Sequence, residues 1–182
     1  MSYDNSPLPV ERNIAGFWCR SEHMDRAKSV LGVWHVLDHK SIAANLTGTV
    51  AETQLYQRSI PGGLLGPNGV LRLSIIASNT GSVSQKTLRV KLGGTNVYSL
   101  DNAASAANVS MCPMFALRNR GDEQAQIASP QYASGVSAGA TVAVQFLAVD
   151  TTVDQLLTIT GQLASGADFL RLESVLVEVL AS

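Results

Sequence analysis

The chain has 182 residues, of which 15% are charged, and its 13 Lys and Arg against 14 Asp and Glu leave a net charge of −1. That length suits one domain, or one domain with an appended arm. Without a basic run, electrostatic capture of nucleic acid is not expected, and no apolar stretch approaches the roughly 20 residues of a membrane-spanning helix.

Apolar residues make up 46% of the chain but aromatics only 5%. Ser, Thr, Ala, Gly and Asn fill the difference, which gives a neutral, hydroxyl-rich surface suited to packing against other protein. The opening MSYDNSPLPVER lacks the basic and apolar regions of a signal peptide, so assembly in a cytoplasm is expected. Cys19 and Cys112 stand far apart and are read as two thiols rather than a bridge.

Residues 1–47 read as an arm. Both tryptophans (Trp18, Trp34), all three histidines (His23, His35, His39) and Phe17 fall there. Ser6-Pro-Leu-Pro9 favours an extended segment with little ordering cost. Phe17, Trp18 and Trp34 are large anchors of the kind that dominate interfaces, so the arm is expected to hold a partner; the alternative is that these rings close the base of the core. Cys19-x3-His23 followed by His35-x3-His39 has the ligand types of a zinc site. The front pair is Cys with His rather than Cys with Cys, however, and Ser29–Leu37 reads at least as well as a strand, on which His35 and His39 lie far apart. No metal or cofactor is expected, and the histidines are read as solvated or interfacial.

Beyond residue 48 come short alternating runs broken by turn residues, the spacing of an all-β antiparallel sandwich or jelly roll over 48–182. Strands are expected at Thr53–Ile60, Val70–Ser78, Thr87–Leu92, from Thr95, Met111–Arg118, Gln124–Ala128, Thr141–Val149, Gln155–Leu163 and Phe169–Leu180. Leu71, Leu73 and Ile75 share one face of their strand, and Leu88, Val90 and Leu92 one face of theirs. Gly93-Gly94 between two such strands calls for a primed hairpin turn. A phosphate loop would need a helix next, and Thr95-Asn-Val-Tyr98 does not start one.

No catalytic constellation emerges. Gly135-Val-Ser-Ala-Gly139 matches a nucleophile elbow, but no histidine follows His39 to serve Ser137. Glu173 and Glu178 have opposite parity on one strand, and Asp150 and Asp154 flank a turn, so neither is an acid pair. An enzyme is not expected. In the last strand, Val175, Val177 and Val179 alternate with Leu176 and Leu180, so both faces are apolar past residue 174. Either a bulge switches the faces, or the second face packs on a partner. A homotrimer around Val175, Leu176, Val177, Val179 and Leu180 is the expectation, the alternative being a strand buried between two sheets of one subunit.

Three stretches, IPGGLLGPNGVLRLSI (Ile60–Ile75), KTLRVKLGGTNVY (Lys86–Tyr98) and VDQLLTITGQLASGADFLRLESVLVEVL (Val153–Leu180), together resemble a β-sandwich module of tailed-bacteriophage virion structural proteins. Members of that family are head decoration, head-fibre or tail-fibre proteins, and the likeness spans roughly 48–180. It implies a component of the virion surface whose partners are its own copies and the major capsid protein or another virion protein. The leading expectation is a capsid decoration (cement) protein held by its arm. The alternative is a fibre module recognising a host glycan or protein through Asn102, Asn108, Gln131 and Tyr132, read here as loop residues.

Overall fold

A computed structural model describes residues 34–102, 110–132 and 144–182. Phe17, Trp18, Cys19, His23, Asn108 and Ser137 lie outside them. Among the described residues no helix occurs. The chain forms β1 (His35–Lys40), β2 (Ala44–Thr47), β3 (Thr53–Ile60), β4 (Val70–Asn79), β5 (Lys86–Leu92), β6 (Thr95–Asn102), β7 (Ser110–Met111), β8 (Met114–Asn119), β9 (Gln126–Tyr132), β10 (Gln145–Leu147), β11 (Gln155–Leu163) and β12 (Phe169–Leu180).

These strands make an antiparallel β-sandwich. The larger sheet runs β1-β12-β4-β8-β9-β10, with β2 on β12 and β7 on β4, and the smaller runs β3-β11-β5-β6. Alternation builds the layer between them. Leu71, Leu73, Ile75 and Ala77 of β4 are buried, as are Leu88, Val90 and Leu92 of β5 and Leu157 and Ile159 of β11. Tyr98 of β6 meets Phe115 of β8 across the sheets, ring centroids 5.4 Å apart. Gly161 of β11 leaves room for the side-chain ends of Leu170, Leu55 and Leu46, which a Cβ there would meet at 2.8–3.1 Å. Gly93 and Gly94 turn the β5–β6 hairpin at φ 57° and 79°, the positive values that glycine supplies.

The first correction concerns residues 35–47. The sheet does not begin at residue 48: β1 pairs with Val175–Val179 and β2 with Phe169–Leu172, so 35–47 are strand rather than arm. Their register explains why alternation did not betray them. β2 is four residues long, and β1 carries an extra residue at Leu37, where the pairing steps from Val36↔Glu178 to Asp38↔Val177.

The second correction is in β12, where a bulge switches the faces. Leu172 pairs with Ala77 and Ser174 with Ile76, which leaves Glu173 as the extra residue. Ahead of it Leu170 and Leu172 point inward; beyond it Val175, Val177 and Val179 do, and all three are fully buried in the subunit's own core. They have no surface to offer a sister copy. Leu176 and Leu180 take the other side, half-buried. The same switch turns Glu173 and Glu178 to one side, against the opposite orientation that unbroken alternation predicts.

Polar groups close both ends of the core. Beside Gly69, the buried Asn119 amide donates to the Gly66 carbonyl at 2.7 Å and to Thr151 Oγ1 at 3.0 Å, tying two loops together. At the Asn79 end of β4, Asn79, Asn102, Lys86 and Asp168 are buried side by side in the strand pattern.

Candidate interaction face

The outer faces of the two sheets differ in chemistry. On the smaller sheet Glu52 gathers the polar groups: Lys91 Nζ at 2.6 Å, Arg89 Nη1 at 3.6 Å and the Thr160 hydroxyl, which donates at 2.5 Å. Arg89 also donates to Gln162 Oε1 at 2.9 Å. This face neutralises itself and suits water.

The hydrogen bonds from Lys91 and then Thr160 hold the Glu52 carboxyl below its ordinary 4.5, outweighing a smaller upward push from burial. A carboxyl lowered on folding stabilises above its unfolded value and loses that contribution as pH falls through the folded one. Glu52→Gln is therefore expected to cost under about 1 kcal/mol at neutral pH, since the pair is a third exposed. The gap between thermal melts of wild type and variant is expected to narrow as pH falls below the ordinary 4.5 and to close once it passes the lowered folded value; a gap that stays constant through the acid range would contradict the assignment.

Register builds the outer face of the larger sheet. Leu180 pairs with Val70, Val70 with Arg118, Arg118 with Ile127 and Ile127 with Phe146, one row across β12, β4, β8, β9 and β10. Their strand neighbours Val179, Leu71, Leu117 and Ala128 are buried, so the row points away from the core. Four of its five side chains are apolar, and Phe146 is 69% exposed, with the Arg120 guanidinium 5.2 Å above its ring. The next row is Val36–Glu178–Arg72–Ala116–Ser129, in which Arg72 is bound to Glu178 through Nε at 2.9 Å and Nη2 at 2.8 Å. Leu176 pairs with Ser74 and Ser74 with Met114 in the row after, and Ile76, 51% exposed, stands opposite Ser174. Arg72 with Glu178 and Arg171 with Glu173 are the matched pairs of this face, and Arg118 stands within its apolar row.

The sequence-predicted site residues fall as follows. Trp34 does not stand free: its ring lies 3.9 Å from the Arg72 guanidinium, on the outer side of the sheet. His35 pairs with inward-facing Val179 and His39 with outward-facing Leu176, so β1 does not present them together. His39 Nε2 contacts Ser41 Oγ at 3.0 Å. Among the described residues no cluster of metal-ligating side chains forms. Asp150 and Asp154 are corner groups. Asp150 Oδ1 accepts from the Thr152 amide and hydroxyl at 3.0 and 2.5 Å, and Asp154 Oδ1 accepts from the Gly62 amide at 2.8 Å. Asn102 is no loop residue but a buried member of β6, and Gln131 and Tyr132 belong to β9.

No protein-family model matches the chain, and no curated protein is significantly similar to it. Among solved structures, a carbohydrate-binding module in complex with calcium and xylotriose aligns over 80% of this chain and 94% of its own, at 12% identity and a TM-score of 0.35. A likeness of that size decides nothing about ligand or site.

Proposed function

We propose that this chain is a structural protein of a tailed-phage particle, a head decoration protein whose sandwiches associate with sister copies and whose first 33 residues hold the capsid. The observation that carries this reading is the outer row Leu180–Val70–Arg118–Ile127–Phe146, which crosses five strands with four apolar side chains around one arginine and ends on the exposed Phe146 ring. A solvated sheet face is ordinarily polar, and a largely apolar one marks an interaction surface. The low charge of the chain and its likeness to phage sandwich modules support the setting. Leu176 and Leu180 remain part of the proposed interface, now joined by Phe146 and Ile127, while the three valines leave it.

Two measurements test it. Light scattering of the full chain is expected to show a small closed oligomer, and Phe146→Ala to weaken it roughly tenfold or more, since burying a Phe side chain is worth about 1.5–3 kcal/mol and tenfold is about 1.4. Phe146 is exposed, so the substitution spares the core. Sedimentation with bare capsids of the phage that encodes the chain is expected to retain the full protein and lose a variant beginning at Trp34. A single stable subunit at micromolar concentration would overturn the oligomer, and undiminished binding by the shortened chain would overturn the arm as anchor.

A further inference from the structure

Lys86 occupies a core position. It shares the inward parity of Leu88, Val90 and Leu92 on β5 and pairs with Leu163 of β11 and Asn102 of β6. Its side chain is 1% exposed, and that of Asp168, at the entry to β12 in the other sheet, 6%. Lys86 Nζ lies 3.6 Å from Asp168 Oδ2, beyond hydrogen-bond length. Ser82 bridges the two: Nζ donates to its hydroxyl oxygen at 2.6 Å and to its carbonyl at 3.0 Å, and the hydroxyl donates to Asp168 Oδ2 at 2.9 Å.

A buried ammonium and carboxylate without a direct hydrogen bond recover little of the hydration they gave up. The carboxyl carbon is bonded to Oδ2, so the amine is held beside the atom it would attack. The geometry points to an amide cross-link between Lys86 Nζ and Asp168 Cγ, formed by the folded chain on itself and joining the two sheets.

The step balances without a co-reactant. The Nζ–Cγ bond forms and the Cγ–Oδ2 bond breaks. Two protons of the ammonium pass to Oδ2, which departs as water, and the third stays on the amide nitrogen. Ser82 is placed to relay them, because its hydroxyl accepts from Nζ and donates to Oδ2. The Ser82 carbonyl, which holds Nζ from a second side, orients the amine. The product is neutral where the reactants were a buried ion pair, so condensation removes the electrostatic cost that the fold otherwise carries. In a virion protein the gain is mechanical: a covalent tie between layers otherwise held by side-chain packing.

The test is the mass of the purified full chain under denaturing conditions, followed by peptide mapping. The expected result is a chain one water lighter than its sequence, with a branched tryptic peptide joining the Lys86 and Asp168 segments and no cleavage after Lys86. Lys86→Arg keeps the charge but not the nucleophile and is expected to restore the full mass. Ser82→Ala is expected to leave a fraction unlinked that falls with time. A wild-type chain of full mass yielding two linear peptides would overturn the proposal and leave an ion pair. So would a branch to Asn79 or Asn102, or a lost water confined to a cyclised Asp168 with Lys86 still cleaved.

Discussion

A chain lacking Leu176 is expected not to reach the native fold, whereas one lacking Glu173 is expected to fold. The difference follows from register. β12 is held on one side by β1 and β2 and on the other by β4, and Glu173 is the residue that β4 leaves unpaired. Truncating its side chain removes a 2.5 Å hydrogen bond from Ser78 and a 3.9 Å contact with Arg171 but keeps the bulge. Such partly exposed contacts are worth about 1 kcal/mol or less. Deleting Glu173 loses the same contacts and the bulge, but Leu172 and Ser174 already pair with the adjacent Ala77 and Ile76, so the strand closes into unbroken alternation and Val175, Val177 and Val179 stay inward. Deleting Leu176, which β4 does pair, turns every later side chain to the other face. Val177 and Val179 would turn outward, with Glu178 and Leu180 inward. Leu180 can replace a valine at an overpacking cost of about 1–3 kcal/mol. Glu178 cannot: it would enter the core without Arg72, at about 3–5 kcal/mol for an unpaired buried charge. Together these take much of the roughly 5–15 kcal/mol that holds a domain folded. Far-ultraviolet circular dichroism with urea titration reads the outcome, and a cooperative transition near the wild-type midpoint without Leu176, or none without Glu173, would show that the bulge does not set the register.

That bulge also marks where the sequence stopped being legible. Strand bounds set by flanking turn residues could be read to the residue, and β3, β11 and β12 carry the expected ones. The Gly93-Gly94 hairpin was legible for the same local reason, a turn chemistry with one reading. A bulge leaves no residue of its own in the text, so the apolar stretch LESVLVEVL (Leu172–Leu180) admits two accounts: a partnered second face or a changed parity. Structure chose parity, and with it moved three valines from the expected interface into the core. β1 and β2 escaped because β1 is itself bulged and β2 offers too few residues to show a period. Lys86 was within reach, since the parity of Leu88, Val90 and Leu92 extended by one step places it inward. The apolar row of the outer face was not, because its members are brought together from five strands by pairing that no local pattern contains.

Phe115→Ala is expected to be the most costly single side-chain truncation in the core, about 3–5 kcal/mol. Phe115 is 1% exposed, pairs with Leu73 on the inner face of the larger sheet, and is the aromatic that reaches Tyr98 of the smaller one. Because the two sheets meet there through rings, the loss falls on the contact between layers rather than on either ladder. Tyr98 supplies a second readout. Burial pushes its hydroxyl from an ordinary 10.0 up to about 12. A phenol raised in this way binds its proton more tightly folded than unfolded, so wild-type stability is expected to hold below pH 10 and to fall as pH climbs from there toward 12. Removing the Phe115 ring opens the space beside Tyr98 to water, which lowers the desolvation that raised it. Absorbance titration at the tyrosinate band is expected to show one phenol moving down toward 10 in the variant, together with the drop in urea midpoint. A large loss of stability with an unmoved titration would mean that the cavity collapses dry, and that Tyr98 is shielded by its aliphatic neighbours rather than by Phe115.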